Sequence, residues 1–139
     1  MRAFVFIVLV FFGLAPVESM SQAHAVDCAN ASAQSTLNEC ADKDYKKSDA
    51  ELNKLYKDIR GRLSDQPDAV KKLVAAQKAW VAFRDAECGF SSFRSQDGSA
   101  YPMLISMCRD GLTQTRVKDL KAYLLCEEGD LSCPVPPTN

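Results

Sequence analysis

The sequence predicts an all-α fold: a small, disulfide-stapled three-helix up-down-up bundle that follows a signal peptide. Three observations carry this. Apolar residues recur at helical spacing in three long segments, and no window alternates as a strand would. The breaks between those segments are short and polar or carry Gly and Pro, which favours antiparallel neighbours. Six cysteines lie behind an apolar leader, the pattern of a chain that folds in an oxidising compartment.

The leader comes first. Arg2 supplies a short positive start, and the run from Ala3 to Val17 is uninterruptedly apolar. Ala23-His24-Ala25 then gives the small-x-small pattern read by signal peptidase. The apolar run is shorter than the roughly 20 residues of a membrane-spanning helix. Cleavage after Ala25 is expected, giving a signal peptide at 1–25, a helical domain at 26–126 and a Pro-rich tail at 127–139. The product is periplasmic or secreted, with no membrane attachment after cleavage. Asp27 stands before Cys28, where a lipid-modified cysteine requires a small residue.

Composition excludes several classes of function. The chain has 17 Lys and Arg against 18 Asp and Glu, a net charge of −1. Residues 1–25 hold Arg2 and Glu18, so cleavage leaves the same balance and no electrostatic case for nucleic acid or an anionic membrane. They also hold His24, the single histidine, so the remaining chain has none to offer a zinc or haem site. No C-x-x-C, G-x-S-x-G, phosphate-cradling glycine loop or pair of metal carboxylates is marked. The expectation is a protein that is not an enzyme, with no metal and no cofactor.

The first helix is expected to open at Thr36, where T-L-N-E offers a capping box between Thr36 and Glu39. Leu52, Leu55, Tyr56, Ile59 and Leu63 form its apolar stripe. Lys46, Lys47, Lys54, Lys57 and Asp58 fall mostly on the other faces and read as a solvated surface. SDQPDA (64–69) ends it, with Ser64 or Asp65 as the next cap and Pro67 in a first turn, where its missing N–H costs nothing. The second helix carries Val70, Leu73, Val74, Gln77, Trp80, Val81 and Arg84 to Cys88 and stops at Gly89. The segment from Phe90 to Pro102 reads as a loop. The third helix runs from Ser99 or Pro102 to Cys126, with Leu104, Met107, Cys108, Leu112, Thr115, Leu120, Tyr123 and Leu124 inward. Gly111 inside it is expected to mark a close helix contact.

Six cysteines allow fifteen pairings. Partners need Cα atoms within about 7 Å, which favours nearest neighbours: Cys28 with Cys40, Cys88 with Cys108, and Cys126 with Cys133. Helical spacing also places Gln77, Trp80, Arg84 and Cys88 on one stripe. A tryptophan at such a position favours core over ligand platform. Arg84 is expected to lie along the indole and reach Asp49 on the first helix. Asp85 lies about 100° round the helix from Arg84, so the two adjacent residues need not pair with each other.

Several segments together resemble a known family. LNEC (37–40) follows Cys28, and DAELNKLY (49–56) has the form Asp-x-x-Leu-Asn-x-x-Tyr. AQKAWVAFRDAEC (76–88) has the form Ala-Gln-x-x-Trp-x-x-Phe-Arg-Asp-x-x-Cys, and DGSA (97–100) is a small Gly-containing loop. Cys108, Thr113, Arg116 and Leu120 close the pattern. From Cys28 to Leu124 the chain resembles the lysozyme-inhibitor LprI-like family of secreted bacterial proteins, which includes the YecT-type proteins. The motif residues that match are Asp49, Leu52, Asn53, Tyr56, Gln77, Trp80, Phe83, Arg84, Asp85, Thr113 and Arg116, read mainly as structural. Cys126 and Cys133 lie beyond the shared region, and the chain lacks the lipobox of lipoprotein members.

The resemblance implies a protein partner, lysozyme, whose muramidase activity is blocked. Lysozyme clefts present carboxylates, so the inhibitory element needs a projecting polar or basic group. The loop carrying Phe93, Arg94, Asp97, Ser99 and Tyr101 is the candidate. The alternative is a periplasmic envelope-stress or protein-interaction module with another partner, in which the motif residues only determine the fold.

Overall fold

The computed structural model describes residues 26–137, so the leader at 1–25 lies outside the described residues. Three helices form: α1 (Gln34–Arg62), α2 (Pro67–Ser91) and α3 (Tyr101–Leu124), with a 3-10 turn at Phe93–Ser95. No strand occurs among the described residues. Asn38 Nδ2 donates to the Ser99 carbonyl at 3.0 Å, and Arg62 Nη1 donates to the Leu124 carbonyl at 3.0 Å. The N-terminal ends of α1 and α3 therefore meet, as do their C-terminal ends. The two helices run parallel, and α2, which lies between them in the chain, runs back the other way, the up-down-up order.

Helix boundaries depart from local capping signals. α1 begins at Gln34 with Ala33 as N-cap and no side-chain cap, so Thr36 sits inside the first turn and the capping box does not form. Side-chain bonds, one of them to α3, and a disulfide hold that turn instead. Gln34 Nε2 donates to Asn38 Oδ1 at 2.9 Å and lies 3.7 Å from Met103 Sδ, while Cys40 in the next turn is bridged to Cys28. Gln66, not Ser64 or Asp65, caps α2. A tight turn, with Gln66 N–H donating to the Leu63 carbonyl at 2.8 Å, uses those two residues up. Pro67 does take the first helical turn. α2 continues past Gly89 to Ser91, and α3 ends before Cys126.

The closest pair is α1 with α3, which are not neighbours in sequence. α1 offers Ala41, Ser48, Leu52, Leu55 and Ile59, and α3 offers Ser106, Thr113, Val117 and Leu120, all buried. Small side chains at four of these positions allow the axes to approach, since interaxial distance follows the side chains at the contact. This turns the inner face of α3 away from the expected one. Met107 is 56% exposed and Thr115 also faces solvent, whereas buried Ser106 and Thr113 carry no apolar signal. Gly111 marks no close contact; a Cβ there would meet open space.

The stripe of α1 is inside as its spacing predicts, with Leu52, Ile59 and Leu63 among the most buried side chains. The tail is irregular yet belongs to the core. Val135 is 2% exposed and packs with Ile59, Leu63 and Leu73. Cys126–Cys133 closes the loop that returns it, and Gly129 at φ 88° supplies the left-handed turn. The other bridges are Cys28–Cys40 and Cys88–Cys108, with Cα separations of 5.7 and 5.6 Å. Each contributes about 2–3 kcal/mol by restricting the unfolded chain.

Candidate functional site

Helix spacing puts Arg84 on the inner stripe of α2, one turn after Trp80 and one before Cys88. Its side chain is 7% exposed. Nη1 lies 3.1 Å from Asp49 Oδ1 on α1 and 3.5 Å from Thr113 Oγ1 on α3. The guanidinium carbon stands 5.1 Å from the Trp80 ring centroid and 5.3 Å from that of Tyr45, stacked against both. One residue thus touches all three helices. The expected reach from Arg84 to Asp49 is observed, with the indole beside it.

The pair that helix angle left open, Arg84 with Asp85, does form. Arg84 Nε donates to Asp85 Oδ1 at 3.1 Å, and Arg109 Nε lies 3.2 Å from the same oxygen. The long arginine stem swings its head back toward the next residue, so the angular separation of the two Cβ atoms does not keep them apart. A line of alternating charge results: Arg109, Asp85, Arg84, Asp49. Asn53 extends it by donating to Asp49 Oδ2 at 2.9 Å and to the Asp49 carbonyl at 2.8 Å.

The surroundings set the proton affinity of Arg84 and Tyr45. Burial works against the Arg84 cation, but hydrogen bonds to Asp85 and Asp49 and neighbouring negative charge outweigh it, so its pKa is raised. Burial raises the Tyr45 phenol, opposed in part by the Arg84 charge. Arg84 is a fixed cation and Tyr45 a neutral phenol at neutral pH. Neither is poised to exchange protons near pH 7.

The remaining motif residues divide between core and groove. Leu52 is 2% exposed and Thr113 0%. Tyr56 is half-buried beneath Arg60 at 5.8 Å, and Gln77 Oε1 accepts from Arg116 Nε at 3.4 Å. Phe83 stays out of the core at 55% exposure. α1 and α2 meet through side chains such as Arg84 and Asp49 while their backbones stay apart. An open groove of about 460 Å³ is left between them, lined by Tyr45, Asp49, Asn53, Tyr56, Gln77 and Arg84 among others.

The loop after α2 is ordered from three sides. Cys88, fully buried, is bridged to Cys108; Ser92 is 5% exposed; and Asn38 holds the Ser99 carbonyl. Phe93 projects from the 3-10 turn at 67% exposure, with Phe90 at 79% just before it. Arg94, Asp97 and Ser99 are exposed, and Tyr101 is half-buried at the start of α3. This surface lies apart from the groove.

Sequence reasoning missed Tyr45, Arg109 and Lys78. Tyr45 stands one turn before Asp49, so extending the α1 stripe upstream would have reached it. Arg109 follows Cys108, and Asp85 lies one turn before its bridge partner Cys88, so the disulfide itself brings that pair together. No residue pattern marked Lys78, which becomes notable only because the groove is open.

Helices, bridges and charge line define a small disulfide-stapled helical-bundle protein organised around one buried arginine. The profile of the lysozyme inhibitor LprI family matches residues 27–120, and the chain belongs to that family. It is also similar to an uncharacterized protein of Rhizobium meliloti (strain 1021), 39% identical over 112 residues, covering 70% of this chain and 78% of the relative. No solved structure matches the chain significantly. No helix among the described residues is long and apolar enough to cross a membrane.

Proposed function

We infer that this chain is a secreted periplasmic protein that inhibits a muramidase by binding it, with the loop from Phe93 to Tyr101 as the inhibitory element. Membership of the lysozyme inhibitor LprI family supports the activity. The observation that carries the loop assignment is a projecting Phe93 on a turn held by Cys88–Cys108, buried Ser92 and the Asn38–Ser99 bond. A held turn loses little conformational freedom on binding. Phe93 supplies apolar contact, and exposed Arg94 supplies a cation for a cleft whose working groups are carboxylates. The protein acts as a binder, not a catalyst.

Titration of lysozyme with oxidised protein lacking residues 1–25 tests this. Inhibition near equimolar ratio is expected, weakened more by Phe93→Ala or Arg94→Ala than by Lys46→Ala or Lys47→Ala. Equal weakening by both sets would remove the loop assignment. No inhibition at moderate excess would favour the interaction module with another partner.

A further inference from the structure

We propose that the outward face of α2 is the interface of a two-fold symmetric, antiparallel dimer with a second copy of this chain. The inference does not depend on the Phe93 loop or on the binding of a muramidase.

α2 turns an apolar surface to solvent on the side away from the bundle. Its buried residues, Leu73, Arg84 and Cys88, mark the inner side. At about 100° per residue, the opposite side is centred on Ala79. Phe83 and Phe90, two turns apart, project there and are 55% and 79% exposed. From Ala75 to Ala86, every other residue within about 60° of the Ala79 line is an exposed alanine. The outer face of a surface helix is ordinarily polar or charged. This one carries no charge along that stretch, and nothing among the described residues covers it.

The charges at the ends of the stretch select the occupant. Lys72 and Glu87 flank it, are exposed, and join no ion pair among the described residues. They stand equally far along the chain from the midpoint between Ala79 and Trp80, and so do Ala76 and Phe83. All four lie to the same side of the Ala79 line, by about 20–80°. In an antiparallel pair related by a two-fold axis, each side of the stripe meets its own copy, and equidistant residues face one another. With the axis at that midpoint, Lys72 meets the partner's Glu87 and Phe83 meets the partner's Ala76. Phe90 falls opposite the partner's Ala69 by the same count.

Shape agrees with charge in this register. A ring set against a methyl group fills the gap between two helices at close approach, which alanines allow because interaxial distance follows the side chains at the contact. A parallel pair would instead set Lys72 against Lys72 and Glu87 against Glu87, a like-charge arrangement that repels. One copy of α2 thus supplies the complement of another.

The interface is small. α2 has 25 residues, so a strip about 37 Å long and about 10 Å wide covers about 400 Å² per protomer. The total of about 800 Å² falls below the roughly 1,200–2,000 Å² of stable complexes. The dimer is therefore reversible, with a Kd on the order of 10–100 μM.

Sedimentation velocity of the oxidised protein lacking residues 1–25, from about 5 μM to about 1 mM, tests this. The weight-average mass should rise from monomer towards dimer across that range. Ala79→Glu sets two carboxylates against each other at the axis and should weaken association about tenfold or more. The position is exposed and helical, so the circular dichroism should not change. Phe83→Ala should weaken association about fivefold. Lys72→Glu and Glu87→Lys should each weaken it about threefold, and the double variant should recover the parent affinity. Lys54→Glu on α1 makes the same change of net charge and should leave association unaltered. A monomer at about 1 mM, or a dimer indifferent to Ala79→Glu, overturns the proposal. A double variant that does not recover overturns the antiparallel register. A chain that stays monomeric yet floats with neutral phosphatidylcholine vesicles, and loses that with Ala79→Glu, overturns the dimer by assigning the face to lipid.

Discussion

Replacing Arg84 tests whether one side chain registers the three helices. Arg84 is 7% exposed, while its partners Asp49 and Asp85 are 35% and 43% exposed. In Arg84→Ala both carboxylates regain water, so the loss should fall at or below the low end of the about 3–5 kcal/mol seen when a buried ion is stranded. Two charge-assisted hydrogen bonds, each discounted to about 1 kcal/mol for exposed partners, and two stacking contacts of about 0.5–1 kcal/mol each give a loss of about 3 kcal/mol. In urea, followed by far-ultraviolet circular dichroism on oxidised protein, that lowers the midpoint by roughly 1–3 M. Arg84→Lys should recover less than half, because one ammonium lacks the planar fork that serves both carboxylates and stacks between rings. A double-mutant cycle with Asp49→Asn should show coupling of about 1 kcal/mol. A loss under about 1 kcal/mol for the alanine variant, or a lysine variant as stable as the parent, would refute the reasoning.

The remaining predictions concern packing, backbone and pH. Val135→Ala should cost about 2 kcal/mol by the same urea assay, although Val135 lies beyond the family match; a loss near zero would mean the tail is not core. Gly111→Ala should raise stability by up to about 1 kcal/mol, since the position is exposed, helical and open; destabilisation would reveal a contact there. Burial raises the Tyr45 pKa above its ordinary 10.0, so its stabilising contribution is complete below pH 10.0 and is lost as pH rises through the folded-state value. Tyr45→Phe should therefore flatten part of the alkaline stability loss, and an unchanged alkaline unfolding midpoint would count against that burial.

Legibility differed between helices for a physical reason. The stripe of α1 is built from large apolar side chains, so its inner face is visible in the spacing of Leu52, Leu55, Ile59 and Leu63. The contact face of α3 is built partly from Ser106 and Thr113, which are inside because they are small, and no hydropathy pattern marks smallness. Capping failed similarly. Thr36 and Glu39 form a sound local signal, but bonds from Gln34 and Asn38 to the α3 end carry α1 further back. At the site, the Arg84–Asp49 pair was legible because both residues lie on helical stripes. The Arg84–Asp85 pair was not, because it depends on how a flexible four-bond stem folds rather than where its Cβ points.

Periodicity and residue chemistry by themselves determined that this chain forms three helices, that α1 buries a leucine-rich stripe and that Arg84 meets Asp49. These are matters of local spacing, and a helix imposes the same spacing wherever it lies. Tertiary structure alone decided that α1 packs on α3 rather than on its sequence neighbour, that Val135 closes the core and that a groove stays open between α1 and α2. Those outcomes depend on how closely whole surfaces approach, which small side chains permit and large ones prevent, and that distance is written in no single segment of the sequence.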